Sequence, residues 1–168
     1  MRGLTLSLLM MAAALPAAAA PTAADRLHEL FEAEWERGLR ENPLRASYLG
    51  DRRFDDRWPD VSADAIARSH AADRAVLEAL TAIPVAELSE ADRLNHELFG
   101  RTYRQEIDAH AWGLQYLPIT QRRGIQSAHQ VAEVLPFATL RDYENWVARL
   151  DGVGAYVDQT IALMREGK

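Results

Sequence analysis

Apolar residues recur at helical spacing along most of this chain. From Ala23 to Glu41, leucine and aromatic residues follow one another at intervals of three and four, and charged residues fill many of the positions between them. This periodicity predicts an amphipathic helix over residues 23–41. Asn42 and Pro43 come directly after this helix and end or bend it. The apolar positions of the helix are Leu27, Leu30, Phe31, Trp35 and Leu39.

Capping residues predict the starts of two longer helices in the middle of the chain. Ser62 precedes a helix that runs from Ala63 to about Ile83. Ser89 and Asp92 form a capping-box pattern in front of a helix from Glu90 to about Trp112. The apolar residues of this second helix are spaced for burial on more than one side. They include Leu94, Leu98, Phe99, Tyr103 and Ile107.

Two further capping patterns follow in the last third of the chain. Ser127 with Gln130 predicts a short helix to about Leu135, and Thr139 with Asp142 predicts another. The latter helix carries a clear apolar stripe, and an Asp-Gly pair breaks or kinks the chain before a last helix. The stripe consists of Leu140, Tyr143, Trp146, Val147 and Leu150, and the last helix carries Val153, Tyr156, Val157, Ile161 and Met164.

Residues 46–60 are dense in glycine, aspartate and proline. This composition predicts a structured loop between two helices. We expect Tyr48, Phe54 and Trp58 to pin the loop to the rest of the protein. The aspartates of the segment favour turns and helix caps over a calcium site, because their spacing does not match a calcium-binding helix–loop–helix.

The passage near residues 114–126 interrupts the helical pattern. Pro118 has no backbone N–H to donate, and Gly124 permits backbone angles that other residues resist. An ordered passage outside a helix must find other partners for its backbone polar groups. The side chains that can supply them are Thr120, Gln121 and Gln126.

The whole pattern shows no strand alternation and no repeat. It predicts an all-α fold, an irregular bundle of five or six helices with one extended, Pro- and Gly-containing passage near 114–126. The 168 residues, 48% of them apolar, are enough for one domain with a hydrophobic core. A formal net charge of −6 argues against a general affinity for nucleic acid.

The first twenty residues have the layout of a secretory signal peptide: a positive start, an apolar run over 4–15 and a small-residue end over 16–20. Cleavage after Ala20 fits the small-residue rule, with Ala19 and Ala24 as alternatives. The apolar run is short for a membrane span. We expect an exported protein, periplasmic or secreted, that is free of the membrane after signal cleavage. The alternative is a cytoplasmic helix rich in leucine and alanine.

The sequence offers no catalytic or metal-binding motif. The dipeptides at 28–29 and 96–97 match the first half of an HExxH zinc motif, but Glu32 and Gly100 stand where the second histidine belongs. Cysteine, a GxSxG motif and a phosphate-binding glycine loop are all lacking. We therefore predict no catalytic residue, no metal ligand and no cofactor in this chain.

The turn-rich passage holds the best candidates for a binding site, since loops on a rigid scaffold carry much of protein function. Arg122 and Arg123 can meet an anionic group such as a peptide carboxylate. Ordinary solvated loop arginines are the alternative. The expected cleft-lining residues are Gln121, Arg122, Arg123, Gly124 and Gln126.

Seven segments, taken in order, carry a resemblance to a known family. They are Trp35, Leu49–Asp51, Asp56–Asp60, Leu88–Asn95, Leu117–Ile119 with Gln121 and Gly124, Leu135–Thr139 and Asp142–Trp146. Through these segments the chain resembles the bacterial family catalogued as domain of unknown function 885. The similarity covers nearly all of the chain after the expected signal peptide, and it depends on the order and spacing of the segments together.

Members of that family are much longer, largely helical and often exported, and they are similar to zinc metallopeptidases of the gluzincin type. Their HExxH helix lies towards the C-terminal half, beyond the region that this chain resembles. The resemblance implies that residues 21–168 are an N-terminal helical segment, inactive alone, whose partner is the C-terminal catalytic part. It implies zinc only in a full-length relative, and a peptide as substrate. A self-standing periplasmic binding or scaffolding module is the alternative.

Overall fold

The structure, a computed structural model, describes residues 20–122 and 124–168. Nearly all of the expected signal peptide therefore lies outside the described residues. Within these two ranges the chain forms helices and turns and no strand, which confirms the predicted all-α irregular bundle. The α-helices are α1 (Ala23–Glu41), α2 (Pro43–Tyr48), α3 (Ala63–Thr81), α4 (Glu90–Ala111), α5 (Leu140–Asp151) and α6 (Val153–Glu166). Short 3-10 helices form at Arg52–Phe54, Val85–Glu87, Leu114–Tyr116 and Ile125–Glu133.

Side-chain caps fix the starts of the long helices. The predicted caps Ser62, Ser89 and Thr139 each accept a hydrogen bond from a backbone N–H in the first turn of their helix. Thr22 caps α1 in the same way, although the pattern did not predict it. Each cap satisfies a backbone donor that the helix itself leaves unpaired. The predicted end of α3 at Ile83 is two residues too late, because the helix stops at Thr81.

The predicted loop over residues 46–60 begins as a helix instead. Asn42 ends α1, and its side-chain oxygen accepts a hydrogen bond from the backbone N–H of Arg45 at 3.0 Å, with Pro43 in the first helical position. An Asn-Pro pair is a start signal as well as a stop signal, because proline at the first helical position loses nothing by lacking an N–H. The loop is pinned by Trp58, whereas Tyr48 is half exposed.

The main hydrophobic core lies where α1, α3 and α4 meet. Its fully buried members come from the start of α1, the end of α3 and the turn after it. Gly100 lets α4 approach α3 closely, since a Cβ at this position would lie 3.0 Å from Leu80 Cδ2. The cluster consists of Ala23, Leu27, Leu80, Ile83 and Leu88, with Leu30, Phe31 and Phe99 packed around it.

The second half of the bundle is built on α5 and α6, which pack against the segment after α2. Trp58 stacks on Tyr156 of α6, with ring centroids 5.4 Å apart, and its indole N–H donates to the carbonyl oxygen of Arg149. That carbonyl lies in the last turn of α5, and the helix is interrupted at Gly152. A side chain that binds a helix carbonyl is a recognised cause of kinks. The predicted break at the Asp-Gly pair is confirmed.

The predicted apolar stripe of α5 is present, but most of it is exposed. Leu140, Tyr143, Val147 and Leu150 are each about half exposed or more. The only residue of α5 that the structure shows fully buried is a charged one, Arg149. In the same way, Leu94 and Leu98 of α4 are more than half exposed, although their spacing indicated burial.

The non-helical passage is shorter than predicted. Its two ends, Leu114–Tyr116 and the residues from Ile125 onward, are 3-10 helices, which leaves an extended stretch that comprises the described residues 117–122 and 124. The helix expected to start at Ser127 begins at Ile125, because the Ser127 hydroxyl donates to the carbonyl of Gly124 at 2.9 Å instead of capping a new helix. No helix in the described ranges is both long enough and apolar enough to cross a bilayer.

Candidate functional site

A large open groove runs beside the extended passage. Its volume is about 1010 Å³. One wall comes from the end of α1 together with α2, and another from the first turns of α3 with residues 59–61. The passage from Leu114 to Val131 forms the third side, and α6 contributes Tyr156 and Leu163. Four separate parts of the chain therefore meet around one space.

The charged side chains of the groove are mainly arginines. Their acidic counterparts among the described lining residues are Glu41 and Asp60. The whole protein carries a net charge of −6, so this groove differs in sign from the protein around it. A concave surface with one sign of charge concentrates ions of the opposite sign. The arginines of the groove are Arg40, Arg45, Arg68 and Arg122.

Both acidic residues of the groove already have partners. Glu41 accepts hydrogen bonds from Arg37, at 3.0 Å, and from the Ser69 hydroxyl, at 2.9 Å. Asp60 accepts the backbone N–H of Ser62 at 3.0 Å, and this hydrogen bond holds the pKa of Asp60 below its ordinary value. Asp60 also lies 3.8 Å from Arg68. Glu41 pairs with Arg37, which does not line the groove. The acidic side chains therefore offset only part of the positive charge of the groove arginines.

Apolar side chains line the rest of the groove and leave room for an uncharged part of a ligand. Leu49, Leu114 and Leu117 are each more than half exposed although they line a concavity. A pocket with an apolar lining and a few charged groups is the usual form of a ligand site. The other apolar lining residues include Leu44, Tyr48, Pro59, Val61, Ile66, Pro118 and Val131.

The structure brings two of the predicted cleft-lining residues to this groove. Arg122 and Gly124 line it directly. Gln121 and Gln126 are exposed residues of the same stretch but are not part of the lining. Arg123 lies outside the described residues. The basic residues on the opposite walls had no signal in the sequence, because Arg40, Arg45 and Arg68 read as the solvated faces of their helices.

Side-chain hydrogen bonds hold the extended stretch in place, as predicted for Thr120 and Gln126. The Gln126 amide donates to the Thr120 carbonyl at 2.8 Å, and the Thr120 hydroxyl accepts the backbone N–H of Arg122 at 3.4 Å. Gly124 has φ of +140°, and a Cβ there would lie 3.2 Å from the Cα of Ile119. Only glycine adopts this conformation without strain. The position of Arg122 beside the groove depends on this glycine two residues later.

A buried charged cluster supports the wall that α2 contributes. The Arg149 guanidinium donates to the Phe54 carbonyl at 2.8 Å and to the Ser47 hydroxyl at 3.0 Å. Ser47 in turn donates to the Asp55 carboxylate at 2.5 Å. Burial lowers the pKa of Arg149, and the neighbouring carboxylates Asp55 and Asp56 oppose that shift. This network ties α5 to α2 and to the turn that follows it.

The burial of Arg149 was not predicted, although the sequence contains a signal for it. It lies on the same face of the α5–α6 segment as Trp146, Val153 and Tyr156, at spacings of three and four residues. These neighbours are partly buried. An arginine within such a face indicates a buried, hydrogen-bonded cation, since charged residues are almost never fully buried unless they are paired.

The described residues do not fit a zinc site. They contain no group of three or more histidine, cysteine, aspartate or glutamate side chains placed to hold a metal ion. His70 of α3 and His110 of α4 approach each other, but their rings stack with centroids 3.8 Å apart and planes within 10°. The ring nitrogens therefore lie in two nearly parallel planes, whereas zinc needs ligand atoms that converge on one point at about 2.0–2.1 Å.

A second, smaller groove of about 580 Å³ lies between α1 and α4. Trp35 and Leu98 line it and are each about half exposed. The Tyr103 hydroxyl donates to Glu34 at 2.6 Å at its edge. Burial and the nearby Glu34 carboxylate raise the pKa of Tyr103, so the phenol stays protonated. This groove is mainly apolar and has no set of like charges.

Comparison with known families gives one match. The family described as "Bacterial protein of unknown function (DUF885)" matches residues 43–168, which is most of the chain. The match includes α2 to α6, the extended passage and three of the four groove arginines. No curated protein matches the chain.

Proposed function

The chain belongs to this bacterial family, DUF885, and from that premise we propose that it is the N-terminal helical part of an exported, zinc-peptidase-like protein, in which its groove holds the carboxylate end of a peptide. The chain carries no HExxH motif. In this proposal the bond-breaking chemistry belongs to a separate catalytic part. In this proposal the chain binds and orients the peptide and is inactive by itself.

The observation that carries the proposal is the set of four arginines around one apolar-lined groove. Arginine presents its N–H groups in a planar fork that matches a carboxylate with two parallel hydrogen bonds. The exposed leucines between the arginines offer contact area for peptide side chains. A ligand with an anionic end and an apolar body fits this lining better than a cation, a sugar or a nucleic acid.

Each part of the groove has a distinct task in this proposal. Arg122 at one side and Arg45 or Arg68 at another hold the terminal carboxylate, while the backbone of the extended stretch lies beside the peptide. Pro118 and the glycine at 124 keep this stretch out of a helix, and side-chain hydrogen bonds of Thr120 and Gln126 hold it beside the groove. A wall that holds the peptide in one orientation contributes to catalysis by positioning the substrate.

A self-standing periplasmic binding or scaffolding module is the second proposal. The observation in its favour is that α1, α3 and the turn after α3 share a core of fully buried residues, against which Phe99 of α4 packs. A chain with its own core can fold alone. A single cooperative unfolding transition of the isolated protein, with full peptide binding and no gain on addition of a catalytic part, would favour the module over the peptidase segment.

Peptide binding tests the leading proposal. Fluorescence anisotropy compares one labelled apolar hexapeptide as the free acid and as the C-terminal amide. We expect the free acid to bind the purified protein at least tenfold more tightly, since a charged hydrogen-bonded pair contributes about 1.5–3 kcal/mol. Arg122→Ala removes most of this preference. Arg101→Ala, an exposed residue of α4 away from the groove, is the matched control and leaves it intact.

Equal affinity for the free acid and the amide would overturn the proposal. So would a preference for the free acid that Arg122→Ala and Arg68→Ala both leave unchanged, because the carboxylate would then bind elsewhere.

A further inference from the structure

The Gln115 side chain lines the groove and carries a hydrogen-bond acceptor without a partner. Its Oε1 atom is buried and accepts no hydrogen bond from the described residues. The residue as a whole is only half-buried, and it belongs to the lining of the groove. Buried polar groups are almost always hydrogen-bonded, and an unpaired one costs free energy. This oxygen therefore needs a partner that the described chain does not supply.

The backbone that carries Gln115 is held in place, whereas its amide can turn. The N–H of Leu117 donates to the carbonyl of Leu114 at 3.1 Å and closes a 3-10 turn around Gln115. Gly167, directly after α6, packs so closely on Tyr116 that a Cβ at position 167 would overlap the Tyr116 side chain. The terminal torsion of a glutamine has a broad energy well. Rotation about it turns Oε1 towards the groove that the rest of the side chain lines.

The other acidic and amide side chains of the groove lining are already satisfied. Glu41 and Asp60 accept hydrogen bonds from their own neighbours. The side-chain oxygen of Asn42 accepts the backbone N–H of Arg45 at 3.0 Å. Gln130 is exposed, so water satisfies its amide. Within the described part of the lining, Gln115 is the amide whose oxygen is both buried and unpaired.

The surroundings of Gln115 indicate what kind of donor it accepts. The groove arginines only donate, so they serve the oxygen atoms of a ligand and leave its N–H groups without partners. Leu114 and Leu117, on either side of Gln115 in the chain, are more than half exposed in the groove lining. A neutral N–H flanked by apolar side chains fits this setting. An ammonium group fits it less well, because the arginines repel a cation.

We propose that Gln115 is a specificity-determining residue of the groove, whose side-chain carbonyl accepts a backbone N–H of the bound peptide while the arginines hold the carboxylate. This inference rests on the function proposed for the groove. It adds a discrimination that the arginines cannot make, since a fatty acid has the same carboxylate and apolar body but no N–H to donate.

Replacing single peptide bonds by esters tests the inference with the purified protein. Five versions of the labelled free-acid hexapeptide each carry an ester oxygen in place of one peptide N–H, and fluorescence anisotropy compares them with the parent peptide. We expect one of the esters to bind about fivefold more weakly, the usual contribution of one neutral hydrogen bond. Gln115→Leu has a side chain of similar size without an acceptor, and it should bind this ester and the parent equally well.

Thermal unfolding separates a contact with the ligand from a structural role of Gln115. Gln115→Leu should leave the unfolding midpoint of the free protein unchanged or higher, because it removes a buried acceptor that has no partner. A lower midpoint would show that Oε1 has a structural partner such as a buried water, and it would overturn the inference. Gln105→Leu, at an exposed residue of α4 outside the lining, is the matched control and keeps the full effect of the ester.

The outcomes distinguish this inference from the function on which it rests. Equal affinities of the wild type for the parent and all five esters would overturn the inference alone if the wild type still prefers the free acid over the amide. So would an ester effect that Gln115→Leu retains. Loss of the preference for the free acid would overturn the proposed function of the groove, and the inference with it.

Discussion

Arg149 is the residue on which the second half of the bundle depends. It is fully buried, and it bonds to residues 95 and 102 positions earlier in the chain. Its Nε and Nη1 atoms have no hydrogen-bond partner within the described residues. A buried cation with only part of its donors satisfied costs desolvation energy. Removing the cation also costs free energy, because its buried partners are then left without a hydrogen bond.

We predict that Arg149→Met destabilises the protein by about 3–5 kcal/mol, because the Phe54 carbonyl and the Ser47 hydroxyl lose their buried donor. The buried Asp55 carboxylate then keeps only the partly exposed Arg52, at 3.4 Å, as a cation. The measurement is the midpoint of urea unfolding at pH 7. The double variant Arg149→Met with Asp55→Leu removes both charges, and we expect it to be less destabilised than the sum of the two single changes. Strictly additive losses would contradict the account of this network.

Gly124 is the residue that positions the extended stretch of the groove. We predict that Gly124→Ala destabilises the protein by about 1–3 kcal/mol, since φ of +140° strains any residue with a Cβ. Gly154→Ala on α6 is the matched control. Nothing lies within 4 Å of a Cβ there, so the change is neutral or stabilises by about 0.5 kcal/mol. Thermal unfolding of both variants compares them directly, and equal effects would contradict this role of Gly124.

At the scale of the element, α5 begins with a complete capping box. The Thr139 hydroxyl accepts the backbone N–H of Asp142 at 3.3 Å, and Asp142 accepts the backbone N–H of Thr139 at 2.8 Å. The hydrogen bond from the Thr139 backbone is the largest influence that lowers the pKa of Asp142. Ionised Asp142 is therefore more favoured in the folded chain than in the unfolded one.

This shift predicts a pH-dependent contribution to stability. Because the folded pKa is the lower one, the stabilisation is fully present above the ordinary value of 3.8 and is lost as the pH falls through the folded pKa. Asp142→Asn should therefore be less stable than the wild type at pH 6, and the difference should shrink by pH 3. Urea unfolding in a series of buffers from pH 6 to pH 3 measures it. A difference that stays constant across the series would contradict this explanation.

The helices could largely be predicted from the sequence because their signals are local. Ser62, Ser89 and Thr139 each act within four residues of their own position, so the sequence displays both partners. The burial of α5 could not be predicted in the same way. Two faces of this helix are apolar or mixed, and the choice between them is made by contacts with Ser47 and Phe54, far away in the chain.

The groove was predictable only on one side. Pro118 and Gly124 indicated a non-helical stretch, and Arg122 lies on the groove that this stretch borders. The arginines across from it belong to helices α1, α2 and α3, and each follows the ordinary pattern of a solvated face. Their meeting around one space is a property of the tertiary fold, which periodicity does not contain.

At the scale of the whole molecule, the groove differs in charge from the protein around it. The groove is lined by four arginines in a protein of net charge −6. We predict that raising the salt from 50 to 300 mM weakens free-acid peptide binding by about threefold or more, because the screening length falls below about 10 Å. The amide peptide should change little. Anisotropy titrations at both salt concentrations check this, and equal salt dependence of the two peptides would contradict it.

The most direct test of the central claim is hydrogen–deuterium exchange of the protein with and without a free-acid peptide. The account predicts slower exchange in residues 40–49, 59–69 and 114–131, which surround the groove, and no change in residues 140–151. Protection confined to α5, or no protection around the groove at saturating peptide, would contradict the claim that this groove binds a peptide carboxylate.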